Sequence, residues 1–231
     1  MQYGDNIVVS GLTAAGKTTH ARLLANWLDY RYISATQIML EIAGYSEKTI
    51  EGIWLRGDPN IRSILTSVSV ARKLTDTLVR LAATENFMVF DAWGLSWAYQ
   101  GPLVRLWIDS DRLSRSWKCY VSQGPSPSLS VVECAKLVDD KDLQTRSLFQ
   151  NEYDIDIFSD RSVFDVILDN SWLIREPTRD AADRGIRDFD VVLRTVVQRF
   201  RSGEPIRPLV GIESWSDSDG YRGTAVKEAR V

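Results

Sequence analysis

Apolar residues along this chain fall into short unbroken runs separated by stretches with helical spacing. The first run, Asn6-Ile7-Val8-Val9-Ser10, has the β-branched character of a buried strand. Thr19 to Leu28 then repeats apolar residues at the helical period. Tyr30-Arg31-Tyr32-Ile33-Ser34 reads as a second strand, and Ala35 to Ala43 as a helix ended by Gly44. Gly52, Gly57 and Pro59 interrupt the mixed segment that follows. From Asn60 to Glu85 one face stays apolar through Ile61, Leu65, Val68, Leu74, Leu78 and Leu81, which predicts a long helix. Phe87 to Asp91 and Leu103 to Asp109 are strands, and Asp111 to Tyr120 is a helix. Residues 121–135 carry Gly124-Pro125-Ser126-Pro127 and read as a loop or short helix, and residues 136–152 as a charged helix. Ser162 to Asp169 is the last strand. Thr178 caps a final helix running to Phe200. Strands alternate with helices throughout, so the class is α/β with a parallel sheet.

Gly11-Leu12-Thr13-Ala14-Ala15-Gly16-Lys17-Thr18 lies between the first strand and the first helix and reads as G-x-x-x-x-G-K-T. The two glycines let the backbone curl so that successive N–H groups, from Thr13, Ala14 and Ala15 through Gly16 to Lys17, Thr18 and Thr19, surround an anion. The helix N-terminus adds partial positive charge. Lys17 is expected to reach the outer phosphates of a nucleotide, and the Thr18 hydroxyl to ligate Mg²⁺. The expected ligands are therefore ATP and Mg²⁺.

Composition narrows the setting. At 231 residues with 44% hydrophobic side chains, one core domain is the expectation. A net charge of −3 argues against a nucleic-acid partner. Cys119 and Cys134 fit no zinc spacing and read as reduced thiols of a cytoplasmic protein. No apolar run approaches a membrane span, and the N-terminus reads as a strand rather than a leader. His20 has the position of a packing residue.

Asp91 ends its strand at the sheet edge where ligands gather, as a carboxylate near Mg²⁺ or the acceptor, or as a simple strand-end cap. Asp109 and Asp169 also end strands. Arg112 and Arg115 lie one turn apart, and Lys141 and Arg146 lie on the next charged segment. Guanidinium groups on a closing flap stabilise a transferring phosphoryl group, so residues of about 116–150 read as a lid. Trp54, Trp93 and Trp97 either stack on a flat acceptor or pack in the core.

With those motifs in place, roughly residues 5–200 resemble the cytidylate-kinase-like branch of the P-loop nucleoside monophosphate kinases. Besides the glycine loop, Tyr32-Ile33-Ser34-Ala35-Thr36, Arg112-Leu113-Ser114-Arg115, Tyr153-Asp154-Ile155-Asp156 and Phe164-Asp165-Val166-Ile167-Leu168-Asp169-Asn170-Ser171 are similar to stretches of that family. The resemblance implies the three-layer P-loop NTPase fold with a five-stranded parallel sheet. It implies a kinase domain over 1–201 with an acceptor-binding insert about 34–85, a helical lid about 116–150, and a tail at 202–231 that is ordered only if it packs back on the core. It also implies Mg²⁺-dependent transfer of the γ-phosphate of ATP to a pyrimidine nucleoside monophosphate, with Lys17, Asp91, Arg112, Arg115 and Arg146 as catalytic residues.

The departures concern the acceptor. The family's glycine and arginine in the insert fall at Thr36 and Leu40, and its glycine-arginine after the third strand at Ala92 and Trp93. Its two lid arginines fall at Lys141 and Leu148, with Arg146 off register. Arg56 or Arg62 is the available replacement cation. An acceptor phosphate carries about two charges, and burying them unpaired is costly. Three readings follow. One is a kinase acting on the hydroxyl of an uncharged, nucleoside-like molecule, with Thr36, Leu40, Arg62, Trp93 and Trp97 around the substrate. Another is a CMP/dCMP-type kinase with relocated cations. The third is a nucleotide-binding regulator without turnover.

Overall fold

The computed structural model describes residues 5–45, 67–204 and 226–228. Its sheet has strands β1 (Ile7–Gly11), β2 (Arg31–Ser34), β3 (Met88–Asp91), β4 (Val104–Asp109), β5 (Val166–Asp169) and β6 (Val226–Glu228). The order is β2-β3-β1-β4-β5-β6. The first five are parallel, with β1 at their centre between β3 and β4. The sixth pairs antiparallel with β5 through Ile167 and Lys227, so this part of the tail does return to the core.

The helices are α1 (Lys17–Leu28), α2 (Ala35–Ile42), α3 (Val68–Thr84), α4 (Leu95–Ala98), α5 (Arg112–Val121), α6 (Val131–Tyr153) and α7 (Arg179–Ser202). Among the described residues, no helix is long and apolar enough to cross a membrane. On one face of the sheet Val9, Leu106 and Leu168 pack against Leu24 of α1 and Phe189, Leu193 and Val197 of α7. On the other face Val8, Met88 and Phe90 pack against Leu78 and Leu81 of α3 and Leu95 of α4. Burial on both faces explains why the strands read as continuous apolar runs rather than alternating ones.

Three elements differ from expectation, each for a local reason. The last strand starts at Val166, because Asp160 accepts from the N–H and hydroxyl of Ser162 and folds that stretch into a turn. α6 starts at Val131, because Ser130 and Glu133 form a reciprocal capping box. The one-turn α4 is too short for a periodic signal. The long helix is seen from Val68, and its predicted start at Asn60 lies outside the described residues.

Candidate functional site

The glycine loop joins the central strand to α1. Gly11 has φ 149°, and a Cβ there would sit 2.4 Å from the Ile108 carbonyl oxygen, so only glycine lets β1 leave the sheet beside β4. Ala14 at φ 60° and Gly16 at φ 100° complete the curl. Lys17 Nζ donates to the Leu12 carbonyl at 2.7 Å, folded back over its own loop. Burial lowers the Lys17 pKa to about 8, with Asp91 opposing the shift. His20 is buried edge-on against Phe189, with ring centroids 4.6 Å apart, and burial lowers its pKa to about 3, as a packing residue requires.

Asp91 closes β3 beside this loop. Its Oδ2 accepts from Thr18 Oγ1 at 2.6 Å and from the Tyr32 hydroxyl at 3.0 Å. Tyr32 was not expected here; β2 carries it alongside β3, with Tyr32 in register with Val89. Burial and the neighbouring carboxylate raise the Tyr32 pKa to about 12, so it is a permanent donor.

Helices α5 and α6 lie against the loop. Arg115 is buried in an ion pair with Asp142 of α6 and also donates to the Thr13 carbonyl at 3.3 Å. Asp142 in turn accepts from the Thr13 N–H at 2.9 Å. Nothing in the charged run 139–142 marks this carboxylate for burial. Arg112 makes an exposed pair with Asp139 at 2.6 Å. Gln123 accepts from the N–H groups of Ser128 and Leu129, which ties down the Gly124 to Pro127 turn.

One cavity lies at Trp93 and Lys141, and another against the loop at Ala15 and Gly16. The first, about 170 Å³, is lined by Thr36, Met39, Trp93, Lys141, Phe149 and Tyr153 among others. Trp93 also lies 4.8 Å from Lys17 Nζ, measured to the ring centroid. Lys141 feels Asp142 and Asp91 but is lowered to about 8 by burial. Among the described residues lining this cavity it is the one cation. The second cavity, about 130 Å³, is lined by Gly16, Thr19, His20, Lys118, Asn170 and Arg179 among others.

Three expected site residues lie elsewhere. Leu40 is fully buried among Met39, Tyr45, Val70 and Leu74, where it packs α2 against α3, and it lines neither of these two cavities. Trp97 belongs to an aromatic core with Trp107, Phe149 and Phe164, and its Nε1 donates to Asp160 at 3.1 Å. It is therefore a packing residue. Arg146 is exposed on α6, bonded to Asp156 at 2.7 Å and held over Phe158, and makes no contact of this kind with the loop. Trp54, Arg56 and Arg62 lie outside the described residues.

The sequence profile of the cytidylate kinase-like family matches residues 6–172. No curated protein matches the chain. Among solved structures, an uncharacterized protein from Eubacterium ventriosum superposes with TM-score 0.55 at 10% identity, covering 85% of this chain and 99% of that one. A gluconokinase from Sinorhizobium meliloti gives 0.45 at 13% identity, covering 85% and 99%. A shikimate kinase from Bacteroides thetaiotaomicron gives 0.41 at 14%, covering 82% and 98%. At these identities the first likeness is one of fold.

Proposed function

We propose that this chain, which belongs to the cytidylate kinase-like family, is an ATP- and Mg²⁺-dependent phosphotransferase acting on a hydroxyl of a small, flat, uncharged molecule. The observation that carries the reading is Asp91. It is bonded to Thr18 at the end of the glycine loop, near a largely apolar cavity lined by Trp93 and, among the described residues, by one ammonium, Lys141.

The donor phosphates would lie in the curl of backbone N–H groups between Thr13 and Thr19, with Lys17 swinging from the Leu12 carbonyl onto them. The second cavity, beside Gly16 and Thr19, is where the donor's base would rest. Thr18 and Asp91 would hold Mg²⁺, which when bound neutralises phosphate charge. Asp91 takes the proton of the acceptor hydroxyl, a weak nucleophile until it is deprotonated. Lys17 and Lys141 supply positive charge to stabilise the negative oxygens of the transferring group. Arg115, anchored by Asp142, fixes α5 and α6 against the loop so that water is kept from the reacting phosphate.

The acceptor class follows from desolvation. Among the described residues, a phosphate dianion in this cavity would meet one ammonium against about two charges, and an unpaired remainder is costly to bury. Lys141 is also the observation that favours the second reading, a CMP/dCMP-type kinase, since it offers an acceptor phosphate one partner. Incubation with Mg²⁺-ATP and a panel of nucleosides, nucleoside monophosphates and sugars separates the two. Turnover on uncharged hydroxyl compounds supports the first reading. Efficient turnover of CMP or dCMP alone replaces it with the second.

A further inference from the structure

Asn170 follows β5 and turns its side chain under the glycine loop. Its Nδ2 donates to the Ala15 carbonyl oxygen at 2.9 Å, and its Oδ1 accepts from Lys118 Nζ at 2.5 Å. Lys118 comes from the last turn of α5 and also donates to Ser110 Oγ at 2.9 Å. Asn170 and Ser110 are buried. The chain Lys118–Asn170–Ala15 thus runs from the flap helix to the loop through groups that neither the glycine motif nor the strand-end carboxylates call for.

The orientation of each link follows from chemistry. A carbonyl oxygen can only accept, so the amide nitrogen of Asn170 must face Ala15. The amide oxygen is then turned to Lys118, from which it accepts. The Ala15 carbonyl shares a rigid peptide plane with the Gly16 N–H, and the two point in opposite directions in a trans peptide. Holding the carbonyl toward Asn170 therefore aims the Gly16 N–H into the curl of the loop. This needs an external hold because Gly16, at φ 100°, has no side chain to restrict rotation of that plane. The Asn170 amide lies against Gly16 itself: a Cβ built there would be 3.7 Å from Nδ2.

We propose that Lys118 is a positioning residue for the donor phosphates, acting through Asn170 to set the peptide between Ala15 and Gly16 with its N–H toward the phosphate. The proposal rests on the reading of the loop as a nucleotide phosphate site, and its test separates the two.

Mg²⁺-ATP and inorganic triphosphate are titrated calorimetrically into the wild-type chain, Lys118→Met, Asn170→Leu and the double variant, after thermal melting establishes which are folded. Triphosphate reports the loop without the base. Each single variant should weaken both ligands on the order of 10-fold, the scale of one lost hydrogen bond. The double variant should be no weaker than either, because both act along one chain of contacts. In ¹⁵N spectra the wild-type Gly16 amide should shift strongly when triphosphate binds, and the variants should lose that shift. Asn170→Leu removes no charge, so it remains informative if Lys118→Met does not fold. Failure of the wild-type chain to bind either ligand overturns the phosphate-site reading itself. Wild-type binding matched by the folded variants, with the Gly16 shift retained, overturns the role of Lys118.

Discussion

The Thr18 hydroxyl donates to Asp91 Oδ2 across 2.6 Å, joining the last residue of the glycine loop to the end of the neighbouring strand. Because Tyr32 donates to the same oxygen, Oδ1 is the one not used by these two bonds. That leaves a carboxylate oxygen for the acceptor. Asp91→Asn should therefore lower turnover by on the order of 100-fold or more, the usual scale of general-base catalysis, while Mg²⁺-ATP still binds. Steady-state rates alongside calorimetric affinity check this. Turnover preserved in Asp91→Asn would exclude the residue as the base.

The electrostatics of the loop predict proton uptake. Lys17 and Lys141 are both lowered to about 8, chiefly by burial. Asp91, Lys141, Asp142 and Arg115 also act on Lys17, and Asp142, Asp91 and Cys119 on Lys141. A polyphosphate adds negative charge beside both lysines and raises both pKa values. Near pH 8 to 9 the free protein is partly deprotonated and the complex is not, so binding takes up protons. Affinity then falls as pH rises through about 8. Calorimetry in buffers of different ionisation enthalpy measures the uptake directly. A binding enthalpy independent of buffer would contradict it.

The two arginines of α5 should behave differently. Asp142→Ala leaves Arg115 buried without its partner and the Thr13 N–H without its acceptor, which should cost about 3–5 kcal/mol in urea unfolding. Arg112→Ala removes only an exposed pair with Asp139, and its unfolding midpoint should stay within the scatter of the measurement.

What could be read from sequence was what is local. The glycine loop, its strand and its helix are contiguous, and Asp91 is marked by ending an apolar run. The boundary at Thr178 was visible because its cap is one side chain bonded three residues on, to the Ala181 N–H. Leu40 and Trp97 were misplaced because an apolar side chain in the right stretch has the same appearance in a pocket and in a core. Tyr32, Asp142, Lys118 and Asn170 owe their roles to partners between 27 and 155 residues away, and no spacing rule reports such pairings.

Trp93 offers a change of specificity. It lines the acceptor cavity 4.8 Å from Lys17 Nζ. Trp93→Arg places a second cation beside Lys141, so it should raise kcat/KM for a nucleoside monophosphate and lower it for an uncharged hydroxyl acceptor. The ratio of the two kcat/KM values is the measurement. A fall in activity on the monophosphate would show that Trp93 is not what keeps a dianion out.

The nature of the bond formed tests the account most directly. Phosphorus NMR of the product from the best acceptor, made with Mg²⁺-ATP, distinguishes the two outcomes without knowledge of the pathway. Transfer to a hydroxyl gives a phosphate monoester, a single phosphorus resonance with no phosphorus–phosphorus coupling, and this is the predicted result. Transfer to a nucleoside monophosphate gives a diphosphate with two mutually coupled resonances. That spectrum as the efficient product would contradict an uncharged hydroxyl acceptor.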